Sequence, residues 1–168
     1  WCHPTNVGSY RNFNYGMPSV ETPFFSLLSA DDMLAPHFYE LGMQAFDRHP
    51  RAMFVTTNSV VIDTSGQIIS GPVGPAAPTF YEAGQGFFDM AAVRIPNTWT
   101  GMIFRTEVRE EIGLVDLEAG VFADGGFVLH AAARFPFVAL PEICTVLMAH
   151  ANSTSGTMGV ASKEWYGW

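Results

Sequence analysis

Asp31 and Asp32 carry the strongest chemical signal in this chain, because two adjacent carboxylates follow the apolar run of residues 24–28. Carboxylates crowded at the end of a buried strand lose hydration and repel each other, so they need a positive partner. A divalent cation that also carries phosphate oxygens is the commonest such partner. The plainer reading makes the two acids solvated turn residues, or a cap for the helix that starts near Pro36. Composition narrows the field. With a net charge of −8, seven Arg and a single Lys, Lys163, the chain has no clustered cations for a phosphate backbone, so nucleic acid is not a partner. The same scarcity excludes a polybasic membrane patch. A nucleotide can still bind an acidic chain when a divalent metal supplies the positive charge.

The elements that must position the acids follow from pattern. Residues 1–23 read as turns, punctuated by Asn6, Gly8, Asn12, Asn14, Gly16 and Pro18, and residues 24–28 as a short strand ending at the Asp pair. From Pro36 the spacing becomes helical: Phe38, Leu41, Ala45 and Phe46 share one face, and Pro50 ends the element. Residues 52–63 are rich in β-branched side chains. The turn Asp63-Thr64-Ser65-Gly66 then leads into 67–69, a hairpin signal. Three Pro and two Gly make residues 71–78 a loop, one expected, with the tail, to order when a ligand binds. A helical stretch is expected over 80–93 and a strand over 100–104. Thr106 is placed to cap a short helix carrying Glu107, Glu110 and Glu111, which Gly113 stops. A helix over 124–134, broken by Pro136, and two strands over 137–140 and 143–148 complete the pattern. The tail from Asn152 is Ser/Gly-rich and then aromatic, with Trp165, Tyr166 and Trp168.

Strands and helices therefore interleave, which predicts an α/β fold built on a mixed sheet. Ligands of open α/β sheets lie beyond the carboxyl ends of the strands, where Asp31 and Asp32 are expected. At 168 residues, 48% apolar and with 14 Phe, the chain can bury a substantial core, and neither a repeat nor a linker divides it: residues 1–168 read as one domain. No apolar run approaches the ~20 residues of a membrane span. Cys2 and Cys144 form no CxxC pair and read as a reduced intracellular thiol and a buried apolar residue rather than a disulfide or zinc framework. The chain opens at Trp1 without a Met, which reads as a piece of a longer polypeptide.

Four segments, in order, resemble the family 2 glycosyltransferases of the GT-A fold, over most of the chain. They are Asn6-Val7-Gly8 with Asn12-Phe13-Asn14-Tyr15-Gly16; residues 25–32, ending Ser29-Ala30-Asp31-Asp32; Gly101-Met102-Ile103-Phe104-Arg105 running into residues 108–116; and Ala123-Asp124-Gly125-Gly126-Phe127, followed by the late His150. The chain departs from that family at Ser29 and Ala123, where relatives carry acids, and at Phe13, where many carry Arg. It also starts after the β/α units that hold the base and ribose of the donor, so the expected fold is a GT-A-like mixed sheet flanked by helices, lacking those units.

That resemblance implies an inverting, metal-dependent transfer of sugar from a nucleotide-diphosphate sugar to a hydroxyl of a saccharide or lipid-linked acceptor. Asp31, Asp32 and His150 would hold Mn²⁺ or Mg²⁺, and Asp124 would be the general base. Asn6, Asn14, Trp99, Gly101 and Gly125 would line the substrate site. Each has a plainer duty: Asn6 and Asn14 fix turns, Trp99 packs, His150 is a half-buried histidine after a strand, and Asp124 caps a helix. Arg105 and Arg109 either clamp the diphosphate or pair with Glu107, Glu110 or Asp116. A cytoplasmic location is expected, with membrane association through the full-length protein. Two competing functions remain open at this level: a non-catalytic fragment or interaction module that joins the rest of its polypeptide or self-associates, and a metal-dependent nucleotidyltransferase. The second lacks a basic phosphate loop.

Overall fold

The computed structural model describes residues 3–151 and Ser153, so Cys2 and the aromatic tail lie outside the described residues. One mixed sheet forms the centre. Its strands are β1 (Phe24–Phe25), β2 (Met33–Leu34), β3 (Phe54–Asp63), β4 (Ile68–Ser70), β5 (Thr79–Tyr81), β6 (Met102–Arg105) and β7 (Phe137–Ala149). They run in the order β1-β6-β3-β7-β2, with β4 beside β3 and β5 beside β7. β3 and β7 are parallel, and every other pairing is antiparallel. The helices are α1 (Ser9–Gly16), α2 (Phe38–Arg48), α3 (Phe87–Ala91), α4 (Thr106–Ile112) and α5 (Ala123–Arg134).

Successive strand residues point to opposite faces, and this alternation builds two cores. Val55, Ile103 and Val138 turn toward α2 and bury Phe38, Ala45 and Phe46. Their neighbours Phe54, Phe104 and Phe137 turn to the other face, against Val108 of α4 and Phe127, Val128, Ala131 and Ala132 of α5. On that second face the rings stack across five strands: Phe25 on Phe104, Phe104 on Phe54, Phe54 on Phe137, and Phe137 on Tyr81. Centroid separations of 4.6 to 5.5 Å place these rings in the range where aromatic pairs attract.

Several sequence expectations change. The first 23 residues contain α1 and a 3-10 turn over Met17–Ser19. Asn and Gly suggested turns there, but Tyr10, Phe13 and Met17 sit at i, i+3 and i+7 and pack on the second core, so tertiary burial overrides weak propensity. The stretch expected as a helix over 80–93 is β5, a turn and the short α3, because Phe80 and Tyr81 pair with Val138 and Phe137 of β7. The strands expected over 137–140 and 143–148 are one strand, β7. Pro141 does not end it; the register against β3 shifts between Thr56 and Ser59 instead, and absorbs the irregularity. Thr106 does not cap α4 with its side chain: its hydroxyl donates to the Thr22 carbonyl at 2.6 Å. The expected hairpin (β3–β4), the loop of 71–78, α2, β6, the Gly113 stop and α5 all form.

Candidate active site

The short strand β2 does the positioning. It runs antiparallel to β7, with Met33 opposite Val146, so the turn just before it, Ser29 to Asp32, falls beside the carboxyl end of β7. The Asp32 amide donates to the Ser29 carbonyl at 3.3 Å and closes that turn. Asp31 then meets His150, the residue after β7, with its Oδ2 2.9 Å from the imidazole Nε2. Asp32 turns inward. Its Oδ1 accepts from the Met148 amide at 3.1 Å and its Oδ2 from the Thr100 hydroxyl at 2.9 Å. Burial pushes the Asp32 carboxyl above its usual range, although those two hydrogen bonds act against the shift.

Asp124 arrives from the other core. It lies in the first turn of α5, and its Oδ1 accepts from the Gly125 amide at 2.8 Å. Tyr10, on α1, hydrogen-bonds the same carboxylate. Burial is the largest influence on Asp124 and raises its pKa; the bonds from Gly125 and Tyr10 oppose it. The phenol of Tyr10 is pushed up to about 12, by burial first and then by the facing Asp124 charge.

Asp31, Asp32, Asp124 and His150 all line one open cleft of about 960 Å³, together with Asn6, Tyr10, Trp99 and Thr100. That volume suits a ligand of drug size or larger. Asn6 lies on its wall, where its Oδ1 accepts from the Gly8 amide at 2.9 Å and shapes the entry to α1. Trp99 also borders the cleft, but only 4% of its surface is exposed. Phe13 and Tyr10 meet it edge-on, at 4.5 and 6.0 Å, so it is a packed wall. Among the described residues lining the cleft are three carboxylates and neither Lys nor Arg.

Other expected residues fall elsewhere. Asn14 exchanges two hydrogen bonds with the backbone of Val115, at 2.8 and 3.0 Å, and ties α1 to the loop after α4. Gly101 is buried beneath the cleft floor, with φ +94°. Gly125 acts through its amide on Asp124 and does not border the cleft. Arg105 binds the carbonyls of Ala52 and Pro50 and lies over the rings of Phe24 and Phe46. Arg109 binds the carbonyls of Met17 and Val20. Both guanidiniums brace the scaffold, and neither reaches the cleft. Sequence reasoning missed Tyr10 and Thr100; the helical spacing of Tyr10, Phe13 and Met17 was the one available signal for the first.

No group of three or more His, Cys, Asp or Glu side chains able to hold a metal occurs among the described residues. Any donor set the described residues offer is therefore a partial one. Asp31 and His150 are adjacent, and Mg²⁺ sites commonly use one or two protein ligands and take the rest from phosphates and water. Asp31 and His150 therefore fit two positions of such a site.

Neither the protein-family models nor the curated proteins contain a match to this chain. Solved structures do match. Staphylococcus aureus TarS 1–349, a glycosyltransferase, in complex with UDP-GlcNAc superposes with a TM-score of 0.68 at 12% identity, covering 95% of this chain and 44% of that one. A second structure of the same protein gives 0.61 at 12% identity, covering 87% and 42%. Its complex with UDP gives 0.59 at 12% identity, covering 82% and 39%. The chain thus has a GT-A-like fold, a mixed sheet flanked by helices, and spans less than half the length of the solved chains it matches. Among the described residues no helix is long and apolar enough to cross a membrane.

Proposed function

We propose that this chain is a glycosyltransferase module that moves a sugar from a nucleotide-diphosphate sugar to an acceptor hydroxyl, with inversion. The observation that carries the reading is the convergence of Asp31, Asp32, Asp124 and His150 on a single cleft, from three separate stretches of chain. In this reading Asp124 takes the proton of the acceptor hydroxyl. Its raised pKa makes it a stronger base than a surface carboxylate, while leaving it ionised above that pKa. Asp31 and His150 would hold Mn²⁺ or Mg²⁺. Asp32, held by Thr100 and the Met148 amide, sets the turn that presents Asp31. A bound divalent ion would supply Lewis-acid stabilisation of charge on the departing diphosphate. A cytoplasmic site of action, a saccharide or lipid-linked acceptor and the single-domain reading of residues 1–168 belong to the same proposal.

A second reading, a module that keeps the fold without turnover, is favoured by one observation: the described lining offers three carboxylates and no Lys or Arg to a diphosphate. Titrating Mn²⁺ in the presence and absence of a uridine-diphosphate sugar separates the two. Metal-dependent donor hydrolysis that Asp31→Asn abolishes supports the enzyme. A protein that binds neither metal nor donor is the second.

A further inference from the structure

We propose that Tyr10 is the positioning residue of Asp124, holding the carboxylate in its working orientation through the phenolic hydroxyl; the inference rests on the reading of Asp124 as the proton acceptor. Asp124 projects from the start of a helix with one oxygen tied to the adjacent Gly125 amide, a bond within its own turn that leaves the carboxylate's other side to be directed by something else. Tyr10 supplies that direction from a different element, and its own placement is fixed twice. It packs on the second core, and its ring meets buried Trp99 at 6.0 Å, with Phe13 bracing Trp99 from the same helix at 4.5 Å. The hydroxyl donates to Asp124, and a bond donated to a carboxylate favours its ionised form. Tyr10 therefore opposes the upward push that burial gives the Asp124 carboxyl. The remaining ionisable groups described around the cleft are Asp31, Asp32, His150 and His3.

The test is Tyr10→Phe, which removes one oxygen and keeps the ring against Trp99. With carboxyl-labelled aspartate, and Asp124→Asn to assign the signal, the Asp124 titration midpoint is expected to rise by about half a pH unit or more in Tyr10→Phe. In the active enzyme kcat falls on the order of tenfold with KM little changed, and the acidic limb of kcat/KM moves to higher pH. An unmoved midpoint overturns the proposal, whatever happens to turnover. A midpoint that rises while Asp124→Asn keeps full turnover upholds the Tyr10–Asp124 linkage and overturns the base reading instead. Should the variant fold poorly, the hydroxyl-bearing ring carbon of Tyr10 in the unmutated chain is followed by NMR from pH 4 to 8. Its resonance is expected to track the Asp124 midpoint and lose that step in Asp124→Asn; a flat Tyr10 signal refutes the linkage.

Discussion

Replacing Gly101 by alanine tests whether the floor beneath the acidic cluster is as constrained as its geometry implies. Gly101 has φ +94°, a region that L residues rarely occupy, and a Cβ there would lie 2.4 Å from Thr145 Oγ1 and 3.2 Å from Thr57 Oγ1. The backbone cannot swing away cheaply, since the Gly101 carbonyl accepts from both the Thr57 amide and the Thr57 hydroxyl, each at 3.0 Å. The conformational term costs about 1–2 kcal/mol and the overpacking a further ~1–3 kcal/mol. Together they amount to about 2–5 kcal/mol, a large part of a domain's stability. For a chain of this size that corresponds to a fall in Tm of roughly 5–20 °C. Urea denaturation should show a lower midpoint with an unchanged slope. Thr145 is 1% exposed and its hydroxyl has no hydrogen-bond partner, so Thr145→Ala in the same chain removes the collision and leaves the φ penalty. The double variant should recover about 1–3 kcal/mol. A Gly101→Ala protein within 1 kcal/mol of the parent, or a double variant that recovers nothing, refutes this account.

Asp124→Asn should lower turnover by about 10²–10⁴-fold while raising stability at neutral pH by about 0.5–2 kcal/mol, read by parallel kinetics and denaturation. The sign follows from the raised carboxyl: the folded state binds a proton that the unfolded state has released. Stability therefore falls as pH climbs from the unfolded value to the folded pKa, and Asp124→Asn should flatten that part of the profile. Thr100→Val leaves Asp32 Oδ2 without its hydroxyl donor. Stability should drop by about 1–3 kcal/mol at pH 7 and metal affinity should weaken, both measurable by calorimetry. Asn14→Ala strands the amide and carbonyl of Val115 and should cost about 1–3 kcal/mol in denaturation without altering donor affinity, because Asn14 is spent on the scaffold.

Local pattern made α2, the β3–β4 hairpin, β6 and α5 legible, since each has its own periodicity, β-branched run or turn, and Pro50 and Pro136 mark the ends of the two helices. The acids Asp31, Asp32 and Asp124 and the late His150 were legible as chemistry because residue type carries it. The rest depended on partners distant in the chain. Residues 79–81 carry no local mark that distinguishes a strand from a helical turn; the open edge of β7 decides it. Nothing near Arg105 or Arg109 in sequence says that carbonyls of Ala52 or Val20 will use the guanidiniums before any phosphate could. Asn14 belongs to Val115 for the same reason. What the sequence by itself determined was the alternation of elements and the inventory of ionisable groups. Tertiary structure alone decided that Asp32 turns inward to Thr100 while Asp31 faces His150, and that Tyr10 reaches Asp124. The physical reason is that a side chain's direction and ionisation are set by neighbours that chain folding brings to within 3 Å or so, and such contacts leave no local signature.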